Sequence, residues 1–261
     1  MTHPIRLGVQ IQPQHGPFDR IRAAAIEAEE RGADVVFTWD HFYPLFGEAD
    51  GEHFECFSVL ASYAEVTSRV EIGPLVMCNS YRNPNLVADL ARTIDHMSGG
   101  RFILGIGAGW FERDYDEYGY EFGEKQDRAR ALKESLPIIE RRLGLLNPPP
   151  QHRIPILVAG VGEQVTLRLA ARHADIWHGF GDPETLPHKH SVLDSWCEKE
   201  GRDPGEIERS TSVGDKRDDL AYGDELVAVG STFLTLGTGG PDFDLSWLDR
   251  WVKWRDERNG Q

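Results

Sequence analysis

The sequence predicts an α/β protein built as a (β/α)8 barrel of the TIM type, and three observations carry that prediction. The chain has 261 residues, close to the roughly 250 that one such barrel occupies, so residues 1–261 are read as one domain. Strand-like and helix-like patterns alternate along it, and eight strand–helix units are countable. A doubly wound open sheet, the main structural rival, would place a close glycine fingerprint after its first strand. Gln12-Pro13-Gln14-His15-Gly16 is not one.

The first strand is predicted over Ile5 to Ile11, where Ile5, Leu7, Val9 and Ile11 alternate with the opposite face. Phe18, Ile21, Ala25 and Ala28 recur at helical spacing as far as Arg31-Gly32, and Val35-Val36-Phe37 supplies the second strand. A helix from Cys56 to Thr67 leads to a third strand from Val70 to Met77. Asn83-Pro84 can cap and start a helix running to Met97, because proline is tolerated in a first turn, and Ser98-Gly99-Gly100 ends it. Arg101 to Gly107 reads as strand four, and Lys125 to Leu143 as helix, with Pro137 expected to kink or split it. The second half continues in the same order: strand Pro155 to Ala159, helix Glu163 to Ala171, strand Asp175 to His178, and a helix within Pro183 to Glu200 interrupted near Pro187. Ile207 to Val213 and Thr232 to Leu236 are the last two strands, with helical pattern at Asp219 to Val229 between them. Leu245, Leu248 and Val252 mark a closing helix.

Composition excludes some functions. Lys plus Arg number 28 against 43 Asp plus Glu, a net charge of -15, which opposes binding to nucleic acid or an anionic membrane in the absence of a basic patch. Arg141-Arg142 falls in a helical pattern and reads as solvated surface. Cys56, Cys78 and Cys197 are widely spaced without CxxC, and the chain opens on Met-Thr-His-Pro without a basic and apolar leader, so a cytoplasmic protein is expected. His188-Lys189-His190 lacks further metal ligands nearby and reads as loop surface, and Ser58 and Ser80 lack the setting of a nucleophile elbow.

In a parallel barrel the loops leaving the strand C-termini converge over one end, so polar clusters just beyond the strands are the chemical candidates. These are Gln10 and Gln12, Trp39-Asp40-His41, Cys78-Asn79-Ser80, Gly107-Ala108-Gly109-Trp110, Gly160-Val161-Gly162-Glu163 and Trp177-His178. Gly107 and Gly109 allow close approach to a flat ligand, and Gly160 and Gly162 precede a helix whose free amides could bind phosphate; each pair is equally compatible with a plain tight turn. Trp39, Trp110 and Trp177 could bracket an aromatic ring or simply cover the barrel end. His41 can exchange a proton near neutral pH, and Asp40 beside it could orient a ligand; the alternative is a capping Asp40 and a satisfied rim histidine.

Taken together, Gly32-Ala33-Asp34 through Trp39-Asp40-His41, Tyr81-Arg82-Asn83-Pro84, Asp95-His96-Met97-Ser98-Gly99-Gly100-Arg101, Leu104-Gly105-Ile106-Gly107-Ala108-Gly109-Trp110 and Ile156-Leu157-Val158-Ala159-Gly160-Val161-Gly162-Glu163 resemble the superfamily of luciferase-like flavin monooxygenases and coenzyme F420-dependent oxidoreductases. The resemblance covers about residues 5 to 178, and the Trp-Asp-His stretch looks nearer the F420-dependent members. It implies a ring across the barrel top, with Asp40 and His41 at its polar edge, Pro74, Leu75 and Val76 beneath it, Gly107 and Ala108 beside it, and Ala159, Gly160, Val161, Gly162 and Glu163 near the cofactor phosphate. Many F420-dependent relatives carry a non-proline cis peptide in the strand-three bulge, which matches Pro74-Leu75 here.

The same resemblance implies His41 as the acid–base residue, a substrate pocket including Trp39, Trp110, Trp177 and His178, a small-molecule substrate and a homodimer. In relatives that oxidise sugar phosphates a glutamate stands where this chain has Trp110. That substrate and its full mechanism therefore do not carry over. The usual long insertion before strand five is also absent, since only Gly144 to Arg153 precede Ile154, which implies an open pocket or one completed by a partner. The implied activity is hydride transfer between F420 and a small or medium organic molecule. The alternatives are FMN-dependent monooxygenation, with a separate reductase supplying reduced flavin, and a non-catalytic flavin- or deazaflavin-binding protein.

Overall fold

The computed structural model describes residues 3–260. Its elements run β1 (Arg6–Ile11), α1 (Phe18–Glu30), β2 (Val35–Thr38), α2 (Cys56–Val66), β3 (Glu71–Pro74), β4 (Met77–Cys78), α3 (Pro84–Ser98), β5 (Leu104–Gly107), α4 (Glu112–Tyr118) and α5 (Lys125–Leu143). They continue with β6 (Ile156–Ala159), α6 (Thr166–His173), β7 (Ile176–Gly179), α7 (Leu186–Glu200), β8 (Glu208–Ser212), α8 (Leu220–Ala228), β9 (Phe233–Thr238) and α9 (Leu248–Asn259). The strands pair in parallel in the order β3-β2-β1-β9-β8-β7-β6-β5-β4.

The predicted third strand is present as two halves, β3 and β4, so the nine strands form an eightfold barrel. Leu75 N still donates to Thr38 O at 2.7 Å, and Gln10 Nε2 holds Leu75 O at 2.7 Å. The break follows immediately, at a cis peptide between Leu75 and Val76. The expected position, Pro74-Leu75, is one bond too early, because the ladder with β2 extends through the Leu75 amide. The barrel closes where Ile103 N donates to Ile72 O and Ile72 N to Arg101 O, both at 2.9 Å. Only glycine permits this seam: a Cβ on Gly105 would lie 2.0 Å from Pro74 O, and one on Gly73 2.4 Å from Ile103 O.

Strand alternation separates two apolar layers. Val35, Phe37, Ile103, Leu157, Ala159, Ile176 and Phe233 fill the barrel interior, joined by Leu75. Their strand neighbours, among them Val36, Leu104, Val158 and Trp177, face the helices. Each fully buried large aliphatic contributes about 1.5–3 kcal/mol, which is why apolar periodicity identifies these elements.

Proline and short polar elements account for the differences from expectation. Pro137 lies inside an uninterrupted α5 on its exposed face, where water can take the carbonyl it frees. Pro187 occupies the first turn of α7, where no N–H is missed, so it begins that helix instead of interrupting it. The tract at His188 to His190 is therefore helical, and His190 is buried with Nδ1 2.9 Å from Val229 O. Helix α6 starts at Thr166, three residues after its expected start. Helix α4, seven residues long and largely charged, was not expected at all, since it is too short to display an apolar period.

Candidate active site

The C-terminal ends of the strands gather most of the candidate residues at one mouth. His41 follows β2 and is buried, with Nδ1 2.7 Å from Asp114 Oδ2. A carboxylate can only accept, so Nδ1 carries the proton and Nε2 is the free ring atom. Asp114 comes from α4 and is fully buried. It also accepts from Phe42 N at 3.1 Å, Tyr43 N at 3.2 Å and the Tyr81 hydroxyl at 3.0 Å. Burial and the neighbouring Cys78 and Asp114 push the Tyr81 phenol far up, so it remains a donor. Four donors offset the desolvation of one carboxylate, which otherwise costs several kcal/mol. The His41 ring is packed edge-on by Trp39, Trp110 and Phe111, with centroids 6.2, 5.7 and 5.5 Å away.

Asp40 has a different task from the one expected. Its Oδ2 accepts from Cys78 N at 2.9 Å and Arg82 Nη1 at 2.6 Å, and its Oδ1 from Arg82 Nη2 at 2.9 Å. Both oxygens are thus committed to holding β4 and the start of α3, and Asp40 is buried beneath the mouth. Arg82 also reaches Glu55 Oε1 at 2.8 Å and lies over the Phe57 ring. Trp39 is buried too, and its Nε1 donates to His53 Nε2 at 3.1 Å. That bond requires a neutral His53, and burial, with His41 nearby, lowers this imidazole to about 4.

A cradle lies beside His41. Val76 is half-buried above the barrel interior, next to Leu75 and Pro74. Gly107 leaves room beside it: a Cβ there would come 2.9 Å from Val76 Cγ2. Ala108 and Ala159 continue the same rim. Gly160 has φ +129°, and the N–H groups of Val161 to Val165, including Gly162, find no acceptor among the described residues. An apolar shelf beside a missing side chain, with successive free amides nearby, fits a flat ring carrying a phosphate. Glu163 turns away from this cradle, since its carboxylate meets Lys189 at 2.6 Å and His188 at 3.0 Å.

Trp110 stands 64% exposed against His41, whereas Trp177 is wholly buried on the other face of β7. Its Nε1 donates to Gly160 O at 2.9 Å, and its ring packs on His190 among the helices. The expectation that Trp177 joins Trp39 and Trp110 in the substrate pocket is therefore corrected: Ile176 and His178 point inward, so the residue between them points out. His178 is buried inside the barrel, with Nδ1 2.8 Å from Ser210 Oγ.

Asp114, His53 and Ser210 escaped the sequence reading. Tyr81 and Arg82 stand in the Tyr81-Arg82-Asn83-Pro84 stretch, which does not indicate their partners. Among the described residues no group of three or more His, Cys, Asp and Glu side chains could hold a metal, and no helix is long and apolar enough to cross a membrane.

The chain is 30% identical over 235 residues to the F420-dependent glucose-6-phosphate dehydrogenase of Microbacterium testaceum (strain StLB037), covering 82% of this chain and 68% of that protein. It is 25% identical over 273 residues to the pyrimidine monooxygenase RutA of Enterobacter sp. (strain 638), covering 95% and 72%. In fold it is similar to an F420-dependent secondary alcohol dehydrogenase solved with an F420-acetone adduct, with a TM-score of 0.82, 17% identity and coverage of 96% and 98%. A family model described as luciferase-like monooxygenase matches residues 1–214, most of the chain, and with the parallel barrel and its mouth this establishes that the protein belongs to that family.

Proposed function

We propose that the protein is an F420-dependent oxidoreductase that moves a hydride between the deazaflavin and a small or medium organic molecule, such as a conjugated or carbonyl compound. The observation that carries this reading is the buried His41–Asp114 pair, 2.7 Å apart, beside the cradle of Val76 and Gly107. Val76 would lie beneath the ring, Gly107, Ala108 and Ala159 along its edge, and the amides from Val161 to Val165 would take the phosphate. Bound there, a deazaflavin supplies the hydride from a ring carbon. The chain's own part is proton handling and exclusion of water. Asp114 keeps the proton on Nδ1, so Nε2 of His41 accepts a proton from an alcohol or, once protonated, returns it to a carbonyl oxygen. Trp39, Trp110 and His178 would line the substrate side, and the expected homodimer belongs to the same reading.

A second reading, monooxygenation with FMN and a separate reductase, is favoured by the similarity to the pyrimidine monooxygenase. Titration of the apoprotein with F420 and FMN at one ionic strength separates the two, followed by anaerobic oxidation of reduced cofactor with enones, imines and aldehydes. Preference for F420 is expected, with anaerobic turnover lowered about 100-fold or more in His41→Ala while cofactor affinity changes little. Tight FMN binding, oxygen-dependent oxidation and no F420 binding would overturn the F420 reading.

A further inference from the structure

The mouth has two unlike walls. The cradle described above lies on the β4–β5–β6 side. Continuing round the barrel from β6, whose Ala159 is in register with His178 of β7, Ile176 and Phe233 lie inside, and Arg6 meets Glu208 and the Phe233 ring on the floor. Side chains two residues further along a strand face the same way. That brings His178, Ser210 and Gln10 into the layer above the floor, with Gln12 and Ser212 above them. In barrel order β7 stands four strands from β2, so His178 and His41 rise from opposite sides.

We propose that this wall, running from β7 through β8 and β9 to β1, binds the neutral oxygen or nitrogen of an uncharged substrate, with His178 as the group that meets it. The proposal rests on the reading that this mouth is the catalytic site. His178 Nδ1 lies 2.8 Å from Ser210 Oγ, and its Nε2 has no hydrogen-bond partner among the described residues. Burial lowers the His178 imidazole to about 4, so the ring is neutral near pH 7 and offers a hydrogen bond without a charge. Ser210, Ser212, Gln10 and Gln12 are likewise uncharged.

Four cations around the mouth are already engaged. Arg82 is held by Asp40 and Glu55, Arg113 by Asp50, and Lys189 by Glu163, while Arg128 donates to the carbonyls of Gly109 and Phe122. Beyond β8, the exposed Lys216 and the half-buried Arg217 sit in a run with Asp215, Asp218 and Asp219, further out than Ser212. On the wall itself an anionic substrate would exchange water for neutral dipoles, which is unfavourable. Apolar contact is plentiful, since Phe46, Trp110 and Phe180 are 63, 64 and 59% exposed. Trp110 packs edge-on against His41 and Phe180 against His178, with centroids 5.7 and 5.1 Å apart. Aromatic faces with a few convergent neutral polar groups suit an aromatic or conjugated molecule with a carbonyl, imine or hydroxyl head.

Ligand-observed NMR with the full chain tests this, using benzaldehyde and cyclohexenone as neutral probes and glucose 6-phosphate as the anionic one. The neutral probes should bind and glucose 6-phosphate should not. His178→Phe should weaken benzaldehyde about tenfold or more, whereas His178→Gln, which keeps a neutral donor and acceptor, should stay within about threefold. If His178→Phe fails to fold, the comparison of His178→Gln with His178→Ala takes its place. Glucose 6-phosphate binding as tightly as benzaldehyde, or unchanged benzaldehyde affinity in folded His178→Phe or its His178→Ala replacement, would overturn the subsite. A parallel F420 titration reads the cofactor proposal separately: absent F420 binding with the neutral-probe pattern intact would sink that proposal and support this one.

Discussion

The two ends of the barrel bury polar groups equally well and use them differently. At the floor Arg6 lies between Glu71 and Glu208, 2.9 Å from Glu208 Oε2, with its guanidinium over Phe233. Burial pushes the Glu208 carboxyl up even though Arg6 opposes the shift. One guanidinium there serves two carboxylates, and Glu208 Oε1 has no partner among the described residues. At the mouth Asp40 with Arg82 and the carboxylate of Asp114 are buried too, but three imidazoles are held from one side only: His41 by Asp114, His178 by Ser210 and the half-buried His53 by Trp39. Each keeps a second ring nitrogen uncommitted among the described residues. The contrast shows how one fold separates stability from chemistry. An ion cluster closes one end, and at the other imidazoles with one uncommitted nitrogen leave spare hydrogen-bonding capacity.

Acid should produce the largest effect on this contrast. His53, His178 and His190 are each lowered to about 4 by burial. Their depressed folded values mean that the unfolded chain binds more protons between about pH 6.5 and 4, so stability falls as pH falls through that window. Each contributes a slope of up to about 1.4 kcal/mol per pH unit, and the raised Glu208 offsets at most one of the three. Urea midpoints from pH 7 to 4.5 should show this loss, and His178→Gln should remove about a third of the slope. A flat profile would mean that these rings are not held neutral.

Arg6→Met comes next. It leaves Glu71 and Glu208 facing each other and should cost about 1–3 kcal/mol of unfolding free energy, because Glu208 is buried but Glu71 reaches water, read by denaturant titration. Cofactor affinity should stay at wild-type level, because the change is confined to the floor. An equally large loss of cofactor affinity would erase the division between the two ends.

Asp114→Asn tests the chemistry of the mouth. An amide can offer its NH2 group to Nδ1 and release the His41 tautomer, so kcat should fall about 10- to 100-fold with cofactor affinity nearly unchanged. The pH profile of kcat should shift as well. Unchanged kcat and profile would reduce Asp114 to a packing residue.

The barrel was legible in the sequence because its signal is local and repeated. Alternation at Ile5 to Ile11, the Asn83-Pro84 start and the Gly99 stop each depend on neighbours a few residues away. Trp39-Asp40-His41 and the glycines at 107, 160 and 162 were placed correctly at strand ends for the same reason. Tertiary structure alone decided the partners. His41 meets a carboxylate 73 positions later, Asp40 an arginine 42 positions later, and His178 a serine 32 positions later. No periodicity encodes such distances. The outward turn of Trp177 was within reach, since alternation from His178 dictates it, but a tryptophan beside a rim histidine suggested a shared face. Helix α4 was not: seven largely charged residues fold there because Asp114 is drawn under the loop after β2 by four donors, and that attraction exists only once the barrel has brought them together. Local patterning therefore determined the scaffold and the addresses of the site, and long-range hydrogen bonding determined which side chains remain free to act.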